Sequence, residues 1–158
     1  MNKALTWFIV LTSSCFGQEL WNGARYGMSM PEFEKLFGGH LKLGFSNAEQ
    51  RNYMLDTPEN LCGGDFEVEV TFVAGTGLQV VSLITRVGNL GEIGSCVLNL
   101  LTKRLGHPKS RRLDGKYAEY QFYRLFSRRF TTLWIQPKLV QIGYTCGRPG
   151  NFFNHGIE

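Results

Sequence analysis

Few residues in this 158-residue chain are of types that do chemistry, and they stand far apart. Cysteines occupy positions 15, 62, 96 and 146, and histidines occupy 40, 107 and 155. Thiolates and imidazoles hold zinc when they come in closely spaced pairs. Here no Cys-x-x-Cys occurs and every histidine is remote from the cysteines, so no metal site is read and no cofactor is implied. Glu67 and Glu69 fall on one face of an alternating segment and imitate a catalytic carboxylate pair, but an exposed charged strand face accounts for them more simply. His40 and His107 follow two helical patterns, where an imidazole packs or caps the last carbonyls. No nucleophile is spaced with a base and orienting group, so no catalytic residue is assigned and the chain is not read as an enzyme.

Charge and aromatic residues point instead to recognition. Residues 1–94 hold six Lys or Arg against ten Asp or Glu, whereas residues 95–158 hold eleven against three. The second half is therefore basic. Lys109, Arg111, Arg112, Lys116, Arg128 and Arg129 are binding candidates for an acidic partner, and Trp21 and Tyr26 are aromatic candidates beside them. A solvated basic surface, or pairing with Asp65, Glu67 and Glu69, is the competing account for the charges. Nucleic acid fits poorly, because the N-terminus marks the chain for export.

That N-terminus carries Lys3, the apolar run Ala4 to Leu11 and then small polar residues, which reads as a signal peptide over residues 1–17. The run is too short to span a bilayer. A periplasmic or secreted location follows. Lipid anchoring at Cys15 is the second alternative, since Thr12 stands where a lipobox carries Leu. Processing after Gly17 removes Cys15 and leaves Cys62, Cys96 and Cys146, which suits one disulfide and one odd thiol. The expected layout favours Cys62 with Cys96, and Cys96 with Cys146 is its rival.

The elements that must position these residues are written locally. Ser29 and Glu32 form a capping-box pattern, Pro31 fits the first turn, and Gly38 or Gly39 ends a short helix. Leu41 to Phe45 and Tyr53 to Leu55 read as short strands, Asp56 to Asn60 as a loop, and Asp65 to Val73 with Leu78 to Thr85 as a hairpin in which Val80-Val81 marks a bulge. Ile93, Val97, Leu100, Leu101 and Leu105 lie on one helical face, with Ser95 as an internal cap. A basic loop over Lys109 to Lys116 leads to a strand from Tyr117 to Phe126. A last hairpin joins Phe130–Gln136 to Leu139–Thr145. The order helix, extended segments, hairpin occurs twice. The expected fold is α+β: two tandem helix-plus-antiparallel-sheet repeats, 18–91 and 92–146, with helices packed on one face of the sheet and an irregular tail over 147–158.

Gly27-Met28-Ser29 with Glu32-Phe33 and Leu36-Phe37-Gly38, and later Leu105-Gly106-His107-Pro108, resemble the SmpA/OmlA (BamE-like) superfamily of small exported bacterial proteins. Its tandem-repeat relatives look like the β-lactamase inhibitor proteins. The resemblance implies binding to other proteins at the cell envelope. The expected function is an exported protein-binding module, either inhibitor- or immunity-type or an envelope-assembly accessory. Its partner is another protein, with anionic lipid or cell-wall polymer as further possibilities. A small extracytoplasmic hydrolase or lipid-binding protein is the alternative.

Overall fold

Apolar residues at alternate positions of Gly64–Val73 build the strand around which the sheet grows: Phe66, Val68, Val70 and Phe72 are buried on one side, and Asp65 and Glu67 are exposed on the other. The computed structural model describes residues 15–38, 41–115, 117–123 and 128–147. The expected leader up to residue 14, His40, Lys116, Arg124, Phe126 and the tail beyond Gly147 lie outside these residues. In chain order the strands are β1 (Glu19–Trp21), β2 (Ala24–Arg25), β3 (Leu41–Ser46), β4 (Gln50–Leu55), β5 (Glu59–Leu61), β6 (Gly64–Val73), β7 (Gly77–Thr85), β8 (Ser110–Asp114), β9 (Tyr117–Tyr123), β10 (Arg129–Gln136) and β11 (Leu139–Cys146). The helices are α1 (Met30–Phe37) and α2 (Leu90–Leu105).

The expectation of two helix-plus-sheet repeats is overturned. One nine-stranded antiparallel sheet runs β3-β4-β6-β7-β11-β10-β9-β8, with β5 paired to β6 beside it. Strand accounts for 53% of the described residues and helix for 19%, which makes this mainly an antiparallel sheet protein. The two halves join where β11 lies antiparallel to β7, from Val140 opposite Thr85 to Thr145 opposite Val80. A strand in that central place is flanked on both edges. From Leu78 to Thr85 every residue of β7 is buried, which is why its sequence lacks alternation. The irregularity read at Val80-Val81 is a register shift one residue earlier, where Thr71 opposes Val80 and Phe72 opposes Leu78, leaving Gln79 as the extra residue.

Three other local readings change. The basic loop after α2 is strand β8, an edge strand whose five residues are all exposed and whose sequence Ser-Arg-Arg-Leu-Asp carries no apolar alternation. The helix cap is Asn89, whose Oδ1 accepts from the Glu92 N–H at 3.4 Å, while Ser95 Oγ donates to the Gly91 carbonyl at 2.9 Å. The segment read as a loop at 56–60 contributes Glu59 and Asn60 to β5, and the hairpin β1–β2 carried no legible signal.

Both helices and the β1–β2 hairpin lie on the side of the sheet that carries Val68, Val70, Leu83, Ile142 and Leu133. In α1 the Ser29 N–H and hydroxyl both donate to Glu32 Oε2, at 2.9 and 2.6 Å, and these bonds hold the Glu32 carboxyl below its ordinary value. Gly38 ends the helix in the left-handed region at φ 75°. Fully buried Phe33 meets Phe72 edge-on at 5.6 Å. Ile93, Val97 and Leu101 of α2 are buried where that helix lies against β10 and β11. Cys62, in the β5–β6 turn, is bonded to Cys96 on α2, closing a separation of 34 residues. In the chain-entropy picture such a closure contributes roughly 3 to 4 kcal/mol.

Candidate functional site

Because side chains alternate along a strand, every strand of the sheet offers a second face turned away from the helices. The strand register aligns that face into cross-strand rows. The middle row crosses eight strands: Lys42, Met54, Glu69, Ser82, Gly143, Thr132, Gln121 and Ser110. At a strand spacing of about 4.8 Å it is about 34 Å wide. On one side of it runs the row Glu67, Ile84, Gln141, Trp134, Glu119 and Arg112. On the other runs Asn52, Thr71, Val80, Thr145, Phe130 and Tyr123.

The centre of this face is a buried floor of small and β-branched side chains, Val80 at 3% and Ile84 at 8% exposed among them. Thr132 is 1% exposed, Thr145 3% and Ser82 7%. Around the floor stand taller polar and aromatic groups that are half-buried or exposed, and they are partly tied to one another. Gln141 Nε2 donates to Ser82 Oγ at 3.4 Å, Gln121 Nε2 to Glu119 Oε1 at 2.6 Å, and Asn52 Nδ2 to Glu69 Oε1 at 2.9 Å. Tyr123 and Phe130 are neighbours at 5.5 Å, and Arg112 lies over the Tyr117 ring at 5.9 Å. Glu67 is paired with Arg86 at 3.0 Å and Lys42 with Asp56 at 2.7 Å. The face thus offers hydrogen-bonding amides and carboxylates with aromatic area between them.

The binding candidates read from the sequence are distributed over both sides of the sheet. Arg112 belongs to the second face. Its neighbour Arg111 points the other way, over the Tyr120 ring at 5.6 Å, because consecutive residues of β8 alternate. Exposed Lys109 precedes β8 and donates its backbone N–H to Gln121. Exposed Arg128 precedes β10. Arg129 turns inward: its guanidinium donates to the Leu20 carbonyl at 2.9 Å and lies 5.9 Å from the centre of the Tyr144 ring. Burial pushes the Tyr144 hydroxyl up to about 12, against the opposing pull of Arg129 and Arg104. Trp21 is stacked on Phe37 at 5.4 Å, and the Tyr26 hydroxyl donates to Gln79 Oε1, so both serve the helix side. Lys116 lies outside the described residues. The second face's own residues, Ser82, Gly143, Thr132, Gln121 and Gln141, were missed. Their parity opposite Leu83, Ile142, Leu133, Tyr120 and Val140 was the available signal.

In the full chain Cys146 has a partner outside the three cysteines that processing at Gly17 would leave. It is bonded to Cys15, 131 residues away, and the rival pairing of Cys96 with Cys146 does not occur. Among the described residues no cysteine is free, no group of three His, Cys, Asp or Glu is gathered as a metal requires, and no helix is long and apolar enough to cross a membrane.

Among the described residues, clefts border the sheet. One of about 680 Å3 lies between the start of α2 and the β8–β9 and β10–β11 turns, lined by Asn89, Gly91, Asp114, Tyr117 and Pro137. A second of about 270 Å3 is lined by Gln18, Leu105, Phe122, Arg129 and Thr131. A third of about 230 Å3 lies between Trp21, Phe37, Asp56 and Glu59.

No family model matches the chain, and no curated protein matches it. Among solved structures it is similar to a DUF4309 family protein (YjgB) from Bacillus subtilis subsp. subtilis str. 168, with a TM-score of 0.48 and 10% identity, over 75% of this chain and 78% of that one. That likeness supplies no functional assignment.

Proposed function

We propose that this chain is an exported protein-binding module that meets another protein of the cell envelope or the medium through the second face of its sheet. The observation carrying this reading is the eight-strand row from Lys42 to Ser110, polar or small at every place but Met54, on the side opposite both helices and the β1–β2 hairpin. Its width of about 34 Å is the scale of a standard interface, roughly 800 Å2 per partner, and exceeds what a small ligand needs. Two disulfides accord with an oxidising compartment. The resemblance of Gly27 to Gly38 and of Leu105 to Pro108 to the SmpA/OmlA superfamily implies the same kind of role. Inhibition of the partner and assistance in its assembly are the two forms that role takes.

Capture from envelope extract with the processed chain tests the reading when the bait is varied by face. Gln141→Arg and Trp134→Ala are expected to weaken capture of a specific protein by about tenfold or more, about 1.4 kcal/mol, while Lys35→Glu on α1 leaves it unchanged. Equal capture by all three baits, or loss confined to Lys35→Glu, would move recognition off this face.

A further inference from the structure

The first residues described, Cys15 to Gln18, are tied into the domain by a disulfide, backbone hydrogen bonds and a ring contact. Cys15 is bonded to Cys146, which is itself buried in β11. The Gly17 N–H donates to the Tyr26 carbonyl at 3.0 Å, the Gln18 N–H to the Cys15 carbonyl at 3.3 Å, and the Tyr26 N–H to the Gln18 carbonyl at 2.8 Å. Phe16 meets Tyr26 edge-on at 6.0 Å and sits so close over Gly27 that a Cβ there would lie 2.4 Å from its ring. Cleavage after Gly17 would discard the Cys15 half of the bridge and the Phe16 ring, and leave Cys146 with a reduced thiol.

We infer that the leader is cut no later than the Ser14–Cys15 bond and that Cys15 enters the mature protein as a disulfide partner, not as a lipid anchor. This rests on the export reading above. Ser14 and Thr12 supply small residues one and three places before that bond, and the apolar run Ala4 to Leu11 precedes them at the spacing a leader uses. Hydrolysis there consumes one water and leaves a carboxylate on Ser14 and an α-amine on Cys15. The two thiols, Cys15 and Cys146, then lose two protons and two electrons to a disulfide donor of the oxidising compartment, which leaves as a dithiol. A sulfur carries one such bond. Thioether attachment of a lipid to Cys15 Sγ would exclude the bridge, so the pairing with Cys146 decides between the two fates.

The test is the intact mass of the full chain after secretion by a host with an export pathway, alkylated before or after reduction. The expected product starts at residue 15, or a few residues before it, with no alkylation before reduction and four alkylated cysteines after it. Cys15→Ser is expected to be cut at the same bond and to expose one alkylatable thiol, Cys146. A start at Gln18, or a lipid mass on Cys15, would overturn the inference and leave the export reading standing. An uncut Met1 start would overturn the export reading and the inference with it.

Discussion

The two faces of the sheet are made by the same strands and do opposite work. On the helix side Val70, Leu83, Ile142 and Leu133 are fully or almost fully buried and branched or long, and α1, α2 and the β1–β2 hairpin pack over them. One residue along each of these strands, the second face replaces them with Glu69, Ser82, Gly143 and Thr132. The first set stabilises the fold by removing apolar area from water, and the second set is what the proposed reading offers to a partner. On the proposed reading, stability and recognition divide by parity along a single strand, and substitutions can test that division.

The largest separation is expected from Phe33→Ala. Its ring is wholly buried and touches Phe37 at 4.5 Å and Phe72 at 5.6 Å, so truncation leaves a cavity and should cost about 3 to 5 kcal/mol in urea unfolding. Gln141→Ala, on the second face, should cost under about 1 kcal/mol by the same measurement while weakening the partner complex. If the two variants unfold alike, the second face is core and the comparison between faces collapses.

A smaller effect sharpens the helix side alone. The Tyr144 hydroxyl titrates near 12 in the folded protein, raised first by burial, whereas in the unfolded chain it titrates near the ordinary value of 10. Raising the folded value means that its stabilising contribution is whole below pH 10 and is lost as the pH climbs towards 12. That loss is at most about 3 kcal/mol. Tyrosinate absorbance followed with unfolding across this window should show it, and Tyr144→Phe should flatten the decline.

How much of this was legible follows from range. The ends of α1 are written within ten residues, in Ser29, Glu32 and Gly38, and could be read. The Cys62–Cys96 bridge could be inferred because a hairpin leading directly into a helix brings those cysteines to one end. The junction of β7 with β11 could not, because nothing local in Leu78–Thr85 names a partner more than fifty residues on. Its unbroken burial shows in the sequence only as missing alternation, next to the register shift at Gln79. Strand β8 was hidden for the opposite reason: an exposed edge strand has no buried face to impose a pattern, and Arg111 and Arg112 looked like loop charges. The candidate site was chosen by residue type, which favours Trp21, Tyr26 and Arg129. The structure places Trp21 on Phe37 and Arg129 on the Leu20 carbonyl, contacts that residue type alone does not disclose.

Parity gives the finest test, because two adjacent arginines of β8 stand on different faces. Arg111 lies over Tyr120 on the helix side and Arg112 over Tyr117 on the second face, both exposed. Reversing either charge should change stability by less than about 0.5 kcal/mol, since exposed surface charges rarely do more. Binding should distinguish them. Arg112→Glu is expected to slow association with an acidic partner and to reduce its dependence on salt, which screens such steering over a Debye length of about 10 Å at 0.1 M. Arg111→Glu, a residue away but turned towards α2's side, should leave the rate nearly unchanged. Because the long-range field of the two charges is similar, an equal slowing by both would assign the effect to net charge at the β8 edge. A selective effect of Arg112 assigns it to contact on the second face.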